Sequence, residues 1–185
     1  SAGSSFYSRV ILPNLTGKGK GLKRGASGVR LWYYRSMNEQ LVVERLTEYS
    51  DGDAGDIGRL MSMLGARFDG APIPQEVLEA IIESSYHDQL VARLDARIVG
   101  TATMSIVMGA GMQKLGYLQD FVVDTGVQGR GVADALWQEM MNWCHEHGVE
   151  LEFTSGDTKQ AAHAFYAKHG ASVRDTTVFH VAPED

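Results

Sequence analysis

The chain has little of what marks secreted, membrane-spanning and disordered proteins. It has one cysteine in 185 residues, which excludes a disulfide framework within one chain and suits a reducing compartment. No apolar run approaches the roughly 20 residues that a membrane-spanning helix needs. Hydrophobic residues still make up 44% of the chain, which excludes a disordered chain and allows a sizeable core. We therefore expect a cytoplasmic globular protein without a membrane partner.

Acidic residues are missing from residues 1–37, which hold seven basic ones: Arg9, Lys18, Lys20, Lys23, Arg24, Arg30 and Arg35. The whole chain has 17 basic and 23 acidic residues, so residues 38–185 hold ten basic and 23 acidic ones, a formal balance of −13. Such an acidic region favours a cationic substrate and disfavours nucleic acid as its partner.

The composition divides the chain into two parts. Residues 1–37 include a linker-like start and a stretch rich in glycine and lysine at 17–25, so we interpret them as a basic extension, either a leader or a flexible arm. A second interpretation is an arm that docks on the acidic domain, on a partner subunit or on nucleic acid, helped by the aromatic residues at 32–34. Residues 38–185 are expected to form one domain.

A strand, a glycine-rich turn and a helix follow one another near the middle of the chain. Leu115–Val123 has the β-branched and aromatic content of a strand, and Val132–His147 repeats apolar residues at helical spacing. Gly129 and Gly131 in the turn let the backbone approach an anion closely. Because the first N–H groups of a helix lack internal partners, this arrangement predicts a phosphate-binding site.

Three glycine motifs compete for this turn. A P-loop is excluded because no lysine follows a glycine pair at the required spacing. The dinucleotide fingerprint would begin at Gly129 and needs a small residue where Asp134 stands. The remaining pattern, Gln/Arg-x-x-Gly-x-Gly/Ala, is matched by Gln128–Ala133. In this the chain resembles the acetyl-coenzyme A signature of the GNAT superfamily of N-acetyltransferases.

A second stretch strengthens the resemblance, which covers roughly residues 41–181. Phe153–Val173 looks like the family's second signature, with a strand, a short helix carrying Ala-x-x-Phe-Tyr at 162–166, and a glycine that ends it. The resemblance implies an α/β (α+β) fold with a mixed, mostly antiparallel central sheet flanked by helices. Its element order would be β-α-α-β-β-β-α-β-α-β-β.

The sequence pattern supplies bounds for the remaining elements of that order. Strands are predicted at Leu41–Leu46, Leu90–Leu94, Arg97–Val107, Glu150–Thr154, Ser172–Arg174 and Thr177–Val181, and helices at Asp53–Phe68, Gln75–Ser84 and Lys159–Lys168.

The resemblance also implies how a donor would bind. The acceptor amine would attack the thioester of acetyl-coenzyme A directly, in a ternary complex. Backbone N–H groups of the turn would hold the pyrophosphate, and the strand before it would pair by its main chain with the pantetheine arm. The N–H of Val123 is the candidate donor to the thioester carbonyl. The residues concerned are Phe121, Val123, Gln128, Gly129, Arg130, Gly131, Val132 and Ala133.

Tyr166 is the candidate general acid, because the family's tyrosine at this place protonates the coenzyme thiolate. The base is harder to assign. Relatives resembling polyamine acetyltransferases carry Glu-Asp in the signature strand, whereas this chain has Gln119-Asp120. Gln119 cannot accept a proton from an ammonium group. Strand alternation would turn Asp120 to the opposite face from Gln119. Asp120, a water chain or another carboxylate therefore remain candidates.

Other residues carry weaker signals. Lys159 stands where many relatives have an asparagine that touches the coenzyme, so it either binds phosphate or is solvated. Arg130 either contacts phosphate or faces solvent. Cys144 lies on an apolar helix stripe and is expected to be a small core residue rather than a nucleophile. No histidine spacing indicates a metal site.

The leading hypothesis is an acetyl-coenzyme A-dependent N-acetyltransferase acting on the primary amine of a small, cationic molecule. The alternative is a non-catalytic acyl-coenzyme A sensor or interaction module, which Gln119 and Lys159 leave open. A third hypothesis is a nucleic-acid-linked role of residues 1–37. Family habit makes a homodimer the default expectation. The sequence does not identify the amine.

Overall fold

The computed structural model describes residues 23–24, 30–32, 41–111 and 114–183. The chain divides into two compact units, Ser1–Leu151 and Glu152–Asp185. Within these described residues, seven strands form one sheet in chain order, and every pair from β1·β2 to β5·β6 is antiparallel. The strands are β1 Lys23–Arg24, β2 Arg30–Trp32, β3 Leu41–Arg45, β4 His87–Leu94, β5 Arg97–Val107, β6 Leu115–Val123 and β7 Glu150–Glu152.

Helices cover both faces of the sheet in the first unit. Helices α1 (Asp51–Met61) and α2 (Gln75–Ile82) share a buried cluster with Val91, Ile98 and Val122 of the sheet. Helix α3 (Val132–His147) lies on the other face of the sheet. Its residues Val132 and Leu136 lie against Gly100. The next strand residue, Thr101, pairs with Val122 of the buried cluster, and neighbouring strand residues face opposite sides of a sheet. Helix α4 (Gln160–Lys168) belongs to the second unit.

Helix α1 is shorter than the predicted Asp53–Phe68. It begins after Ser50, whose hydroxyl accepts from the Asp53 N–H at 3.1 Å. It ends at Met61, after which the chain turns back across the helix so that the Ile73 N–H donates to the Ala54 carbonyl at 3.1 Å. Gly58 permits this crossing, because a Cβ there would lie 1.9 Å from the Ala71 carbonyl oxygen.

The fold class is confirmed, since the structure is a mixed α/β protein with a mostly antiparallel sheet flanked by helices. The bounds predicted for β5, β6 and α3 are confirmed, as is the hairpin turn at Asp95–Ala96, where φ is 47° and 68°. Helix α2, strand β7 and helix α4 are each one or two residues shorter than predicted.

The two strands predicted near the C-terminal end are wrong. Ser172–Arg174 and Thr177–Val181 form no strand, although they contain β-branched and aromatic residues, because they pair with no partner strand among the described residues. Strands β1 and β2 lie within 1–37, and β2 pairs with β3; the interpretation of 1–37 as a basic extension stays a prediction. The aromatic cluster at 32–34 extends outside the described residues beyond Trp32. Within the described part of the chain, no helix is long and apolar enough to cross a membrane.

Candidate active site

The turn between β6 and α3 has the backbone of an anion cradle. After Asp124, a short 3-10 turn at Thr125–Val127 leads to Gly129 and Gly131, whose φ angles are 77° and 78°. Residues with a Cβ rarely adopt this left-handed region, so the backbone favours glycine at both positions of the motif. These φ angles are consistent with the prediction that Gly129 and Gly131 let the backbone approach an anion closely.

The first turn of α3 offers N–H groups to a ligand. Its N-cap is Gly131, which has no side chain to accept from them, whereas Ser50 caps α1. Unsatisfied N–H groups and the positive end of the helix dipole favour a phosphate at this point. Gly100 brings the same turn close to the sheet, because a Cβ there would approach Leu136 Cδ1 to 2.8 Å. The turn therefore has the exposed N–H groups and the close sheet contact of an anion-binding helix start.

Asp124 fixes the entry to the cradle. Its Oδ1 accepts from the Gly126 N–H at 2.8 Å and its Oδ2 from Arg59 Nη1 at 2.5 Å. The bond from the Gly126 N–H, aided by Arg59, holds the pKa of Asp124 below its usual range. Asp124 is consequently ionised at neutral pH.

A β-bulge interrupts β6 at Asp120. Thr101 pairs with Val122 and Thr103 with Gln119, so two residues of β6 oppose the single Ala102 of β5. Asp120 has a φ of 52°, a conformation that aspartate tolerates better than most residues. The alternation rule used to place Asp120 opposite Gln119 does not hold across a bulge, so that expectation loses its basis.

Burial raises the pKa of Asp120, and the charge of Arg67 offsets this only in part. A carboxyl group with a raised pKa is a better proton acceptor than an ordinary aspartate, which suits a general base.

Gln119 stands over a row of polar side chains on one face of the sheet. Its Oε1 accepts from the hydroxyl of the buried Ser105 at 3.1 Å. Further along the same face, Gln89 donates to Thr101 Oγ1 at 2.6 Å and accepts from Thr103 Oγ1 at 3.0 Å. This row is neutral and fixed by its own hydrogen bonds. It presents polar atoms without a carboxylate at position 119.

Phe121 and Val123 lie in β6 directly before the cradle, and both are half-buried. Val123 pairs with Gly100, and the following Asp124 N–H donates to the Val99 carbonyl at 2.8 Å. Gln128, Arg130, Val132 and Ala133 complete the turn in sequence. The main-chain roles assigned to these residues stay predictions.

Tyr166 lies on α4 in the second unit. Its ring meets Phe153 edge to face, with 4.6 Å between ring centroids, and burial raises its pKa above that of an ordinary tyrosine. A phenol with a raised pKa keeps its proton at neutral pH, as a general acid must. Lys159 precedes the same helix and is exposed, and its carbonyl accepts from the His163 N–H at 3.0 Å.

The structure also brings forward residues that the sequence did not single out. Ser105 and Gln89 belong to the largely apolar β4–β5 hairpin. The polar residues at alternate positions 101, 103 and 105 of β5 were the sequence signal for this polar row. Cys144 is buried, and burial raises the pKa of its thiol to about 11, which makes it a core residue and not an activated nucleophile. Among the described residues, no group of three or more His, Cys, Asp or Glu side chains is placed to hold a metal.

One family model matches the chain, and several solved structures share its fold. The sequence model of the acetyltransferase (GNAT) family matches residues 59–171. An aminoglycoside acetyltransferase from an uncultured soil metagenomic sample is similar in structure, with a TM-score of 0.63, 23% identity, and coverage of 78% of this chain and 97% of that one. No curated protein matches the chain by sequence.

Two further solved structures share the fold. An acetyltransferase of Trypanosoma brucei superposes with a TM-score of 0.63 and 19% identity over 77% of this chain and 99% of its own. Glucosamine-6-phosphate N-acetyltransferase of Arabidopsis thaliana gives 0.62 and 21% identity over 76% and 97%. At these identities the likeness shows the fold.

Proposed function

The chain belongs to the GNAT family of acetyltransferases, and from this we propose that it transfers acetyl from acetyl-coenzyme A to the primary amine of a small acceptor. The observation that carries the proposal is the double-glycine cradle at the start of α3, because it combines the family's signature with the backbone that a diphosphate needs.

In the proposed complex the cradle at 128–133 binds the diphosphate of the donor. Main-chain groups of Phe121 and Val123 align the pantetheine arm, and the Val123 N–H donates to the thioester carbonyl oxygen. Arg130 and Lys159 are the proposed cationic contacts to the phosphates. The amine nitrogen then bonds to the carbonyl carbon, the carbon–sulfur bond breaks, and the thiolate takes a proton from Tyr166.

Asp120 is the proposed base for the incoming ammonium group. Its raised pKa supports this assignment, and Gln119 has no basic atom to compete with it. Gln119 and Ser105 instead offer hydrogen bonds to the acceptor. Their role would be to orient the amine rather than to deprotonate it.

The acceptor is proposed to be a small amine rich in hydroxyl groups. The acidic balance of 38–185 favours a cation, and the neutral row around Gln119 suits hydroxyl groups. Amino sugars are a reasonable first choice, since two similar structures are named for aminoglycosides and for glucosamine-6-phosphate. A cytoplasmic location and a homodimer remain part of the proposal, the latter to be checked by sedimentation.

An amine panel tests the proposal. Amino sugars, aminoglycosides, polyamines and amino acids are incubated with acetyl-coenzyme A while free thiol is measured, and coenzyme A binding is followed by calorimetry. We expect thiol release with at least one amino sugar. Gly131→Val is the matched control, because a β-branched residue is strained at φ 78° and should weaken coenzyme binding by tenfold or more.

The outcomes separate the alternatives. Coenzyme binding without turnover on any amine would favour the non-catalytic sensor. Binding that Gly131→Val leaves unchanged would exclude the cradle as the coenzyme site. No binding by the wild-type protein would remove the proposal altogether.

A further inference from the structure

Helix α1 directs three charged side chains, each one turn apart, at the sheet and the turn beside it. Asp53 binds Arg93, with oxygen–nitrogen distances of 2.6 and 2.9 Å. Asp56 binds Arg97 at 2.5 Å. Arg59 binds Asp124 at 2.5 Å. The first two pairs join α1 to the β4–β5 hairpin, and the third joins α1 to the residue that begins the coenzyme cradle.

Arg59 is also held by the backbone of the sheet, at Ile98. Its Nη2 donates to the Ile98 carbonyl at 3.1 Å, while Asp56 Oδ2 accepts from the Ile98 N–H at 3.0 Å. Helix α1 thus binds both backbone groups of Ile98, next to the register shift between β4 and β5. The guanidinium of Arg59 is thereby fixed by the sheet on one side and binds Asp124 on the other.

The position of Asp124 gives this contact a consequence for anion binding. Asp124 lies four residues before Gln128, and its carboxylate caps the turn by accepting from the Gly126 N–H. Its negative charge opposes a diphosphate bound in the same turn. The guanidinium of Arg59 offsets that charge, and the partly buried position of both groups makes the interaction stronger than an exposed ion pair.

We propose that Arg59 is a positioning residue for the coenzyme. It holds Asp124 in the cap of the cradle and cancels the charge that would otherwise repel the diphosphate. The inference rests on the proposed function, since it takes a coenzyme diphosphate as the ligand of the cradle. Arg59 acts through Asp124 and has no assigned contact with the reacting atoms.

Binding of coenzyme A to the wild type and to Arg59→Gln, Asp124→Asn and the double variant tests the proposal. Arg59→Gln should raise the Kd for coenzyme A about tenfold, because an uncompensated carboxylate remains at the cradle. Asp124→Asn should stay within about threefold of the wild type, and adding it to Arg59→Gln should recover most of the lost affinity. A merely structural role would not give this rescue.

Turnover with two donors sharpens the result. With acetyl-coenzyme A, Arg59→Gln should raise KM and leave kcat within about twofold. With acetyl-pantetheine, which lacks the diphosphate, the wild type and Arg59→Gln should behave alike. Arg93→Gln is the matched control. It breaks the ion pair between Arg93 of β4 and Asp53 of helix α1, so it should lower the melting temperature without raising the Kd for coenzyme A.

The contrary outcomes are distinct. If the wild type binds coenzyme A and Arg59→Gln binds it equally well, or if the double variant shows no recovery, the role of Arg59 is wrong and the proposed function stands. If the wild type does not bind coenzyme A, the proposed function fails, and this inference fails with it. Should Arg59→Gln not fold, Arg59→Lys keeps the charge that offsets Asp124, so its Kd for coenzyme A should stay within about threefold of the wild type. A tenfold rise in that Kd would overturn charge compensation as the role of Arg59.

Discussion

The two units of the chain differ in how they hold their functional candidates. The first unit contains all the buried residues of the described structure, whereas residues 152–183 of the second contain none. In the first, a cradle and a bulge are positioned by close packing and by ion pairs from α1. In the second, Tyr166 depends on neighbouring aromatic rings. Substitutions in the second unit should therefore change activity with little effect on stability, whereas substitutions in the first unit should change both.

The sharpest test of this separation is Tyr166→Phe. The ring keeps its contact with Phe153, and only the hydroxyl is lost. We expect kcat to fall by about 10²–10⁴-fold, the usual contribution of general acid catalysis, with coenzyme affinity and melting temperature nearly unchanged. Tyr86→Phe, at an exposed tyrosine, is the matched control and should leave kcat alone. Wild-type kcat in the Tyr166 variant would show that solvent protonates the thiolate.

The counterpart in the first unit is Gly58→Ala. The added Cβ would lie 1.9 Å from a backbone oxygen, so the loop at 69–74 must move, and we expect a loss of about 3–5 kcal/mol in the free energy of unfolding. Gly55→Ala lies on the same helix with nothing within 4 Å of the new Cβ and should gain about 0.5–1 kcal/mol. Urea denaturation measures both. Equal effects would mean that close packing does not set the stability of this unit.

Asp120→Asn tests whether stability and function conflict inside the first unit. Because burial raises the pKa of Asp120 in the fold, ionisation costs stability once the pH rises above about 3.9, its unfolded pKa. The variant should therefore be more stable than the wild type at pH 7 and lose this advantage below pH 4. If Asp120 is the base, kcat should fall at the same time. A variant with lower stability at pH 7 would contradict the burial argument.

Asp53, Asp56 and Asp124 give the opposite pH dependence. Hydrogen bonds from Arg93 lower the pKa of Asp53, and those from Arg97 and the Ile98 N–H outweigh burial at Asp56. Groups with lowered pKa stabilise the fold above their unfolded pKa of about 3.9 and lose that contribution as the pH falls further. Thermal melts between pH 6 and 2 should show this loss in the wild type.

The smallest effect is expected in the exposed tail of the second unit. Phe179→Ser replaces a side chain that is 90% exposed, so the melting temperature should change by less than a degree or two. Phe153→Ser, which removes the ring against Tyr166, is the comparison within the same unit and should lower activity. A clear loss of stability in Phe179→Ser would show that the tail is packed in solution.

The sequence predicted local features well and tertiary ones poorly. The bounds of β6 and α3 followed from glycines and helical spacing, which act within a few residues. The bulge at Asp120 depends on which β5 residue faces it, and the Arg59 contact depends on a residue 65 positions away. Local composition predicts neither the bulge nor the contact. The prediction of the final strands failed for a related reason, since the β-branched and aromatic residues at 172–181 favour a strand only where a partner strand is present.

The backbone at Asp120 changes how variation at this site should be interpreted. A φ of 52° admits chiefly glycine, asparagine and aspartate. Any survey of natural variants or any saturation library would therefore recover this short set of residues even if the carboxylate did nothing. An acid retained at position 120 is weak support for catalysis, whereas an active variant with glycine or asparagine there would be decisive against it.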